Sequence, residues 1–348
     1  MAISVQDLSG GLTLEHELFF EGQPDNPEMR ESTSIWLFDD AGEFGCPRIG
    51  IEGEAWSWED RSYQANFGLG GGRIMVDVGR GAAPSPIGPD GRPTRFGAGP
   101  LLFECIEPFR KWRVAFDGSA VDGRTAQQIA GTFDENARAP LRLEAELTMV
   151  TPGWVHDYPA DKVAQMSETD AADAASMGIG WRIEHMFRAE GVLTVDGRAR
   201  DFRATGSRVK RQSVRPMRAF RGHVWQSALF PDGRAFGYIT YPPAEDGRTF
   251  NDGYVFQDGR MHHARVVKAP WLRRLMVDGD DATVELESDL GTTRIEGATT
   301  FSTFSLLPMA DGDRFSLQQT GVRYRWDGQS AFGMMERSTI GQEIEAAS

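Results

Sequence analysis

Along most of the chain, apolar and polar residues alternate with a period of two. In "GWRIEHMFRAEGVLTVDG", Trp181, Ile183, His185 and Phe187 fall on one side of an extended chain, and Arg182, Glu184 and Arg188 on the other. That is the pattern of a strand with one face turned to a core. "RIEGATTFSTFSLLP", "FSLQQTGVRYRWDG" and "HVWQSALFPDGRAFGYITY" repeat it. Asp-Gly pairs punctuate these stretches; eleven occur, beginning at Asp90, Asp117, Asp122, Asp196, Asp232, Asp246, Asp252, Asp258, Asp278, Asp311 and Asp327. Such a pair suits a type I′ hairpin, whose two central residues both take positive φ.

Long amphipathic helical patterns are missing. The exception is "YPADKVAQMSETDAADAASMG", residues 158–178, rich in alanine and acid with Pro159 placed as an early helical residue. It reads as a short helix or a mobile loop joining two β domains, 1–178 and 179–348. An echo between "FRKWRVAFDG" and "IGWRIEHMFRAEG", each a Trp-Arg-aliphatic strand ahead of a turn, supports two similar halves. The prediction is an all-β chain with few short helices. Hairpin-linked strands avoid exposed edges by closing into antiparallel barrels. A barrel of about eight strands has an interior that can hold one small ligand.

Composition narrows the partners. A formal charge of −14 over 348 residues argues against nucleic acid, because phosphate affinity rests on clustered Lys and Arg. No apolar run approaches the roughly eighteen residues of a membrane-spanning helix, so no membrane span is expected. The first residues lack a basic segment followed by an apolar core, so they do not read as a secretory signal. Two cysteines, Cys46 and Cys105, make neither a disulfide framework nor a cysteine-rich zinc site. A reducing cytoplasm is the expected location.

Several motifs dissolve on inspection. "FGLGGGR", residues 67–73, lacks a following Gly-Lys-Ser/Thr, and "IMVDV" after it is a strand, so a glycine-rich hairpin is expected rather than a phosphate loop. His262 and His263 are adjacent and would point to opposite faces of a strand, so they do not share a metal. No metal and no cofactor are expected. No G-x-S-x-G elbow occurs, although one sequence does not exclude a scattered Ser/His/Asp triad.

Against the acidic background, "KRQSVRPMRAFRGHVWQSALF" gathers Lys210, Arg211, Arg215, Arg218 and Arg221 within residues 210–221. Alternation then places Arg221, His223, Trp225, Ser227 and Leu229 on one face. Beyond the turn at Asp232, Phe236, Tyr238 and Thr240 continue the returning strand. A face with His, Trp and Tyr suits a largely apolar pocket carrying a few placed polar groups. His is also a proton carrier near neutral pH. The same pattern fits a solvated strand behind a basic loop, and His185 between Ile183 and Phe187 fits a satisfied core histidine.

Most of the chain resembles the two-domain lipocalin-like family of carotenoid hydratase (hydroxyneurosporene synthase) and the AttH-type proteins, whose architecture some fungal pericyclic cyclases share. The resemblance rests on "ESTSIWLFDDAGEFG", "WSWEDRSYQANFGLGGGRIM" and "GPLLFECIEPFRKWRVAFDG" in the first half. In the second it rests on "RIEHMFRAEGVLTVDGRARDFRATGSR", "GHVWQSALFPDGRAFGY" and "YRWDGQSAFGMMERS". It implies two consecutive lipocalin-like β-barrels with a ligand in a barrel or between the two. The family's RDHSWG-like segment should fall at "GSRVKRQSVRPMR", residues 206–218, where the Asp-His pair is absent. The hydratase's acid chemistry is therefore not carried over. Arg and Gln in its place favour holding an anion, phenolate or enolate.

The resulting expectation is a cofactor-independent lyase or isomerase acting on a hydrophobic aromatic or terpenoid molecule, for example by loss of water or formaldehyde from a lignin-derived phenolic dimer. His223, Tyr238 and His185 are the candidate proton carriers. Arg211, Arg215 and Arg218 would stabilise negative charge, and Trp225 and Trp36 would stack on the substrate. The alternative is a non-catalytic carrier or sensor of the same hydrophobic ligand; a structural scaffold is a third reading. The only other expected partner is a second copy of the chain in a homodimer.

Overall fold

The computed structural model describes residues 6–216, 220–309, 313–341 and 344–346. In chain order the first strands are β1 (Met29–Asp39), β2 (Phe44–Glu54), β3 (Asp60–Leu69), β4 (Arg73–Ala82), β5 (Arg95–Ala98) and β6 (Leu101–Glu107). Next come β7 (Lys111–Arg124), β8 (Arg138–Met149), β9 (Trp154–Tyr158), β10 (Ile179–Val195) and β11 (Arg198–Val214). They form one antiparallel sheet in which β4 also pairs with β7, closing β4-β3-β2-β1-β11-β10-β8-β7 into a barrel.

The remaining strands are β12 (Gly222–Leu229), β13 (Ala235–Thr240), β14 (Asn251–Gln257), β15 (Arg260–Lys268), β16 (Arg274–Leu275) and β17 (Val284–Ser288). They are followed by β18 (Gly291–Pro308), β19 (Arg314–Trp326), β20 (Gln329–Ile340) and β21 (Glu345–Ala346). Eight of them close a second barrel, β12-β13-β14-β15-β17-β18-β19-β20, while β16 and β21 pair separately. The chain is all-β with two barrels, as the alternation predicts. The expected boundary at 178/179 falls just before β10. Both β10 and β11 pair into the first barrel, so the change of barrel comes between Val214 and Gly222. The Trp-Arg echo accordingly joins β7 and β10, two strands of one barrel, and does not mark a repeat between halves.

The alanine- and acid-rich stretch forms two short helices, α1 (Ala160–Val163) and α2 (Glu168–Met177), with the Ser167 hydroxyl accepting from the Asp170 amide at 3.2 Å as an N-cap. Only some Asp-Gly pairs are type I′ turns. Asp196, Asp258 and Asp327 have φ of 53°, 53° and 46°, each followed by a positive-φ glycine, and they join β10–β11, β14–β15 and β19–β20. The pairs at Asp117, Asp122 and Asp252 lie inside strands, and that at Asp311 lies outside the described residues. "FGLGGGR" is the β3–β4 hairpin, as expected.

Each barrel is filled by its own side chains. Ile35, Leu37, Ile49, Ile51, Phe67, Phe103, Trp112 and Phe187 belong to the first interior, and Val224, Phe236, Tyr238, Val255 and Tyr324 to the second. A third apolar cluster lies where the two barrels meet and includes Trp36, Phe38, Met177, Val209, Trp225, Ile239, Tyr241 and Phe301. This docking explains why β12 and β13 are buried along their whole length. One face fills the second barrel and the other packs on the first.

Candidate functional site

Outward-facing residues of both barrels enclose a cavity of about 70 Å³. From the first barrel come Ser32, Ser34 and Trp36 of β1, Arg48 and Glu52 of β2, and Val209 and Arg211 of β11, with Arg215 just beyond it. Arg182 of β10 and Met177 of α2 join them. The second barrel supplies His223 and Trp225 of β12, Ile239 of β13 with Tyr241 after it, and Glu336 of β20. The expected Trp36, Arg211, Arg215, His223 and Trp225 thus converge, although they come from both barrels. The cavity lies between the barrels, one of the two places the resemblance allowed for a ligand. A wider groove of about 520 Å³ at the other end of the interface carries Asp40, Arg188, Arg323 and Phe332 but has no His or Tyr in its lining.

His223 sits across from Ser338 in the β12–β20 ladder. Its Nδ1 is 2.8 Å from Ser338 Oγ and its Nε2 is 3.2 Å from Glu336 Oε1. Burial raises the Glu336 carboxyl, but the His223 bond, Arg48 and Gln319 outweigh it and hold the group at about 2. Glu336 is therefore an ionised acceptor, so His223 directs an Nε2 proton at it and turns Nδ1 to the Ser338 hydroxyl. Gln319 Nε2 donates to Glu336 Oε2 at 2.6 Å, and Gln319 Oε1 accepts from Gln64 and Asn66 of the first barrel at 2.8 and 2.9 Å.

The cations divide into paired and unpaired. Arg48 binds Glu52 at 2.9 Å and Arg30 binds it at 3.4 Å. Glu52 is raised by burial but held at about 2 by Arg30, Arg48, Arg215 and Arg211. Arg182 Nη2 donates to Glu184 at 2.8 Å, and its guanidinium lies 4.8 Å from the Trp225 ring centre. Arg211 Nη1 donates only to the Met177 carbonyl at 3.1 Å, and Arg215 Nε to that of Ser176 at 2.6 Å. Neither has a carboxylate within ion-pair distance among the described residues. Burial lowers the pKa of both, and for Arg211 the next causes are the like charges of Arg215, Arg182 and Arg30.

Two further donors face this region. Tyr241 and Trp36 are each 2% exposed, and neither the phenol oxygen nor the Trp36 Nε1 has a hydrogen-bond partner among the described residues. Burial raises the Tyr241 pKa, with Arg215 and Arg211 pulling against it, so it is a neutral phenol able to donate. Trp36 and Trp225 meet edge to face at 4.5 Å.

Behind Arg182 runs a chain that crosses the barrel interface. Arg182 Nη1 is 3.2 Å from His156 Nδ1, His156 Nε2 is 2.9 Å from Asp252 Oδ2, and Asp252 Oδ1 is 2.9 Å from the exposed His263. A guanidinium only donates, so His156 Nδ1 is the acceptor and its proton lies on Nε2, directed at Asp252. Burial, opposed by Asp252 and assisted by Arg182, lowers the His156 pKa.

Other expected site residues lie elsewhere. Tyr238 faces the second barrel's interior and donates to Gln226 Oε1. The β12–β13 register pairs Trp225 with Ile239 and Gln226 with Tyr238, so Tyr238 cannot share the His223 face. The five residues between Leu229 and Ala235 force that parity, a signal present in the sequence. His185 is sealed inside the first barrel: Nε2 meets the Leu8 carbonyl at 2.7 Å and Nδ1 meets Arg208 at 3.2 Å. Burial and Arg208 push its pKa down to about 4, which keeps it neutral. Glu17, from the 3-10 turn Leu14–Glu17, plugs this end of the barrel through Arg208 at 2.7 Å and Trp112 Nε1 at 2.8 Å. Lys210 points inward to Glu31 at 3.2 Å, and Arg221 pairs with Asp173 at 2.8 Å. Arg218 lies outside the described residues. His262 and His263 bind different carboxylates, Asp289 and Asp252. Among the described residues no cluster of three His, Cys, Asp or Glu could hold a metal, and no helix is long and apolar enough to cross a membrane.

The class this defines is a double β-barrel protein with a polar, arginine-rich cavity at the barrel–barrel contact. The chain belongs to the family described as a domain of unknown function, DUF7064, which matches residues 13–340. No curated protein sequence matches it. Among solved structures it is similar to the AttH-like protein of Nitrosomonas europaea, at 14% identity and a TM-score of 0.55, covering 96% of this chain and 99% of that one. It is also similar to kievitone hydratase from Nectria haematococca, at 11% identity and a TM-score of 0.51, covering 96% and 97%. CghA with Sch210972 matches at 11% and 0.51, covering 92% and 89%. At these identities the likeness is one of fold.

Proposed function

We propose that the chain is a cofactor-independent lyase or isomerase that moves a proton on a hydrophobic, aromatic or terpenoid small molecule at the inter-barrel cavity. The observation that carries the reading is the meeting of a buried His223–Glu336 pair with the Arg211 and Arg215 guanidinium groups of the opposite barrel and the unpartnered Tyr241 phenol. His223 accepts a proton from a substrate C–H at Nδ1, with the Ser338 hydroxyl moving aside or relaying it, and Glu336 stabilises the imidazolium that forms. The electron pair of the broken C–H bond passes into an enolate- or phenolate-like oxygen. Arg211, Arg215 and Tyr241 stabilise that charge in a site largely shielded from water. In an elimination, the Tyr241 phenol protonates the leaving oxygen and recovers its proton from His223. In an isomerisation, the same proton returns to another carbon. Either outcome is redox-neutral. That two proteins of this fold are a hydratase by name and a protein solved with a small molecule, Sch210972, supports the reading.

A carrier of a hydrophobic ligand is less well served, because the lining includes Arg48, Arg182, Arg211, Arg215, Glu52 and Glu336. The test is incubation of the protein with aromatic and terpenoid extracts, followed by mass spectrometry. Depletion of one compound, with a product of equal mass or one lighter by water or a small carbon fragment, is expected. His223→Gln should abolish the change while leaving ligand retention intact. A ligand held indefinitely without conversion would instead establish the carrier.

A further inference from the structure

We infer that the cavity takes a carboxylate: the substrate enters with a permanent carboxylate group held by Arg211, Arg215, Tyr241 and Trp36. The inference rests on the cavity being the ligand site, as proposed above, and adds the chemical class of what binds there.

Charge balance is the first argument. Four arginines line the cavity against two glutamates, Glu52 and Glu336. Arg48 is neutralised by Glu52 and Arg182 by Glu184, while Glu336 stays ionised beside His223 and offsets part of the remaining charge from a distance. Arg211 and Arg215 are left with only the Met177 and Ser176 carbonyls at the end of α2. Those carbonyls sit at the negative end of a helix dipole, which offsets only a fraction of one charge. Arg211 and Arg215 are half-buried, and cations withdrawn from water are ordinarily paired, so two guanidinium groups with no carboxylate within ion-pair distance among the described residues favour an anion from outside the chain.

Donor geometry is the second argument. The Tyr241 phenol and the Trp36 Nε1 are buried, unpartnered donors of two residues that line the same cavity. A buried donor left unmade costs on the order of 1–3 kcal/mol, so two of them in one cavity mark an acceptor-shaped place. A carboxylate has about four lone-pair sites and can accept from a guanidinium fork and from single donors at once. Size is compatible: a cavity of about 70 Å³ has room for a carboxylate group between these donors. A transient enolate alone would leave the arginine pair uncompensated in the ground state, whereas a permanent anion compensates it throughout.

The test uses the full chain with trans-cinnamate and 3-phenylpropanoate as probes, and cinnamyl alcohol and cinnamamide as uncharged counterparts. Binding is followed by tryptophan fluorescence and by the melting temperature. The carboxylates should bind at least tenfold more tightly than their uncharged counterparts and raise the melting temperature. Tyr241→Phe should weaken carboxylate binding roughly tenfold without lowering the melting temperature of the free protein, because the hydroxyl removed has no partner to lose. Arg211→Gln and Arg215→Gln should weaken it further. Equal affinity for charged and uncharged probes overturns the inference. So does carboxylate affinity unchanged in Tyr241→Phe and Arg215→Gln, or no carboxylate binding at millimolar concentration. Carboxylate binding that follows these variants without conversion of any compound would instead refute the lyase or isomerase reading and leave this one standing. Turnover of a substrate lacking an acid group would do the reverse.

Discussion

Replacing Glu336 with glutamine removes one charge and keeps the shape, and the structure fixes what must follow. Glu336 accepts from His223 Nε2 at 3.2 Å and from Gln319 Nε2 at 2.6 Å. Gln319 cannot turn its oxygen toward position 336, because that oxygen already accepts from Gln64 and Asn66. In Glu336→Gln, the new amide oxygen can serve His223, but its NH2 then faces the NH2 of Gln319. A buried donor–donor contact costs on the order of 1–3 kcal/mol. The proton linkage gives a similar figure. The folded carboxyl stands at about 2 against an ordinary 4.5, and each pH unit is worth about 1.4 kcal/mol, so ionised Glu336 contributes about 3 kcal/mol at neutral pH. A depressed carboxyl stabilises above its unfolded pKa, and the contribution is lost as pH falls from 4.5 toward 2. Urea unfolding of parent and variant should differ by about 3 kcal/mol at pH 7, with the gap narrowing below pH 4.5. The double variant Gln319→Glu with Glu336→Gln restores an acceptor facing each donor and should recover most of the loss. A gap independent of pH, or a double variant no more stable than Glu336→Gln alone, would refute the reasoning.

The other predictions concern the interface around the cavity. Asp252→Asn should leave the His156 tautomer in place, because Arg182 still donates to Nδ1 and a guanidinium cannot accept. The asparagine oxygen then faces His156 Nε2 in place of Asp252 Oδ2. Nitrogen-15 NMR of the ring reads this directly, and a ring protonated on Nδ1, in the parent or the variant, would contradict the assignment. Gly68→Ala places a Cβ 2.4 Å from Phe301 Cβ and 2.9 Å from its Cα, at a residue already held at φ 57°. Unfolding should become easier by about 2 kcal/mol, and a change within half a kcal/mol would show that the barrels do not meet there as described.

Much of the fold follows from local pattern. The two-residue period marks strands, and its phase correctly puts Trp181, Ile183, His185 and Phe187 on the inside and His223 with Trp225 on one face. The excess of cations in residues 210–221 marks a place where charge has a task, and Arg211 and Arg215 reach the cavity. Alternation says which side chains share a face, because successive Cβ atoms point to opposite sides of a strand. It does not say what that face meets. Alternation does not single out Arg48, Glu52 and Glu336, and only the docking of the first barrel against β12 and β20 makes them walls of a cavity.

Tyr238 and Tyr241 show the same limit at close range. They lie three residues apart on one stretch of chain, and the hairpin register assigns one to a barrel core and the other to the site. His185 became a core histidine because a distant segment, with Leu8 and Glu17, folds back into the end of the first barrel. The sequence by itself determined the β class, the strand phases and a basic stretch with a histidine and tryptophan beside it. Only the tertiary structure decided that β10 and β11 complete the first barrel, and that a cavity forms between two outer faces. Strand phase is set by neighbours along the chain, whereas closure and docking depend on pairings between residues as far apart as Met29 and Val214.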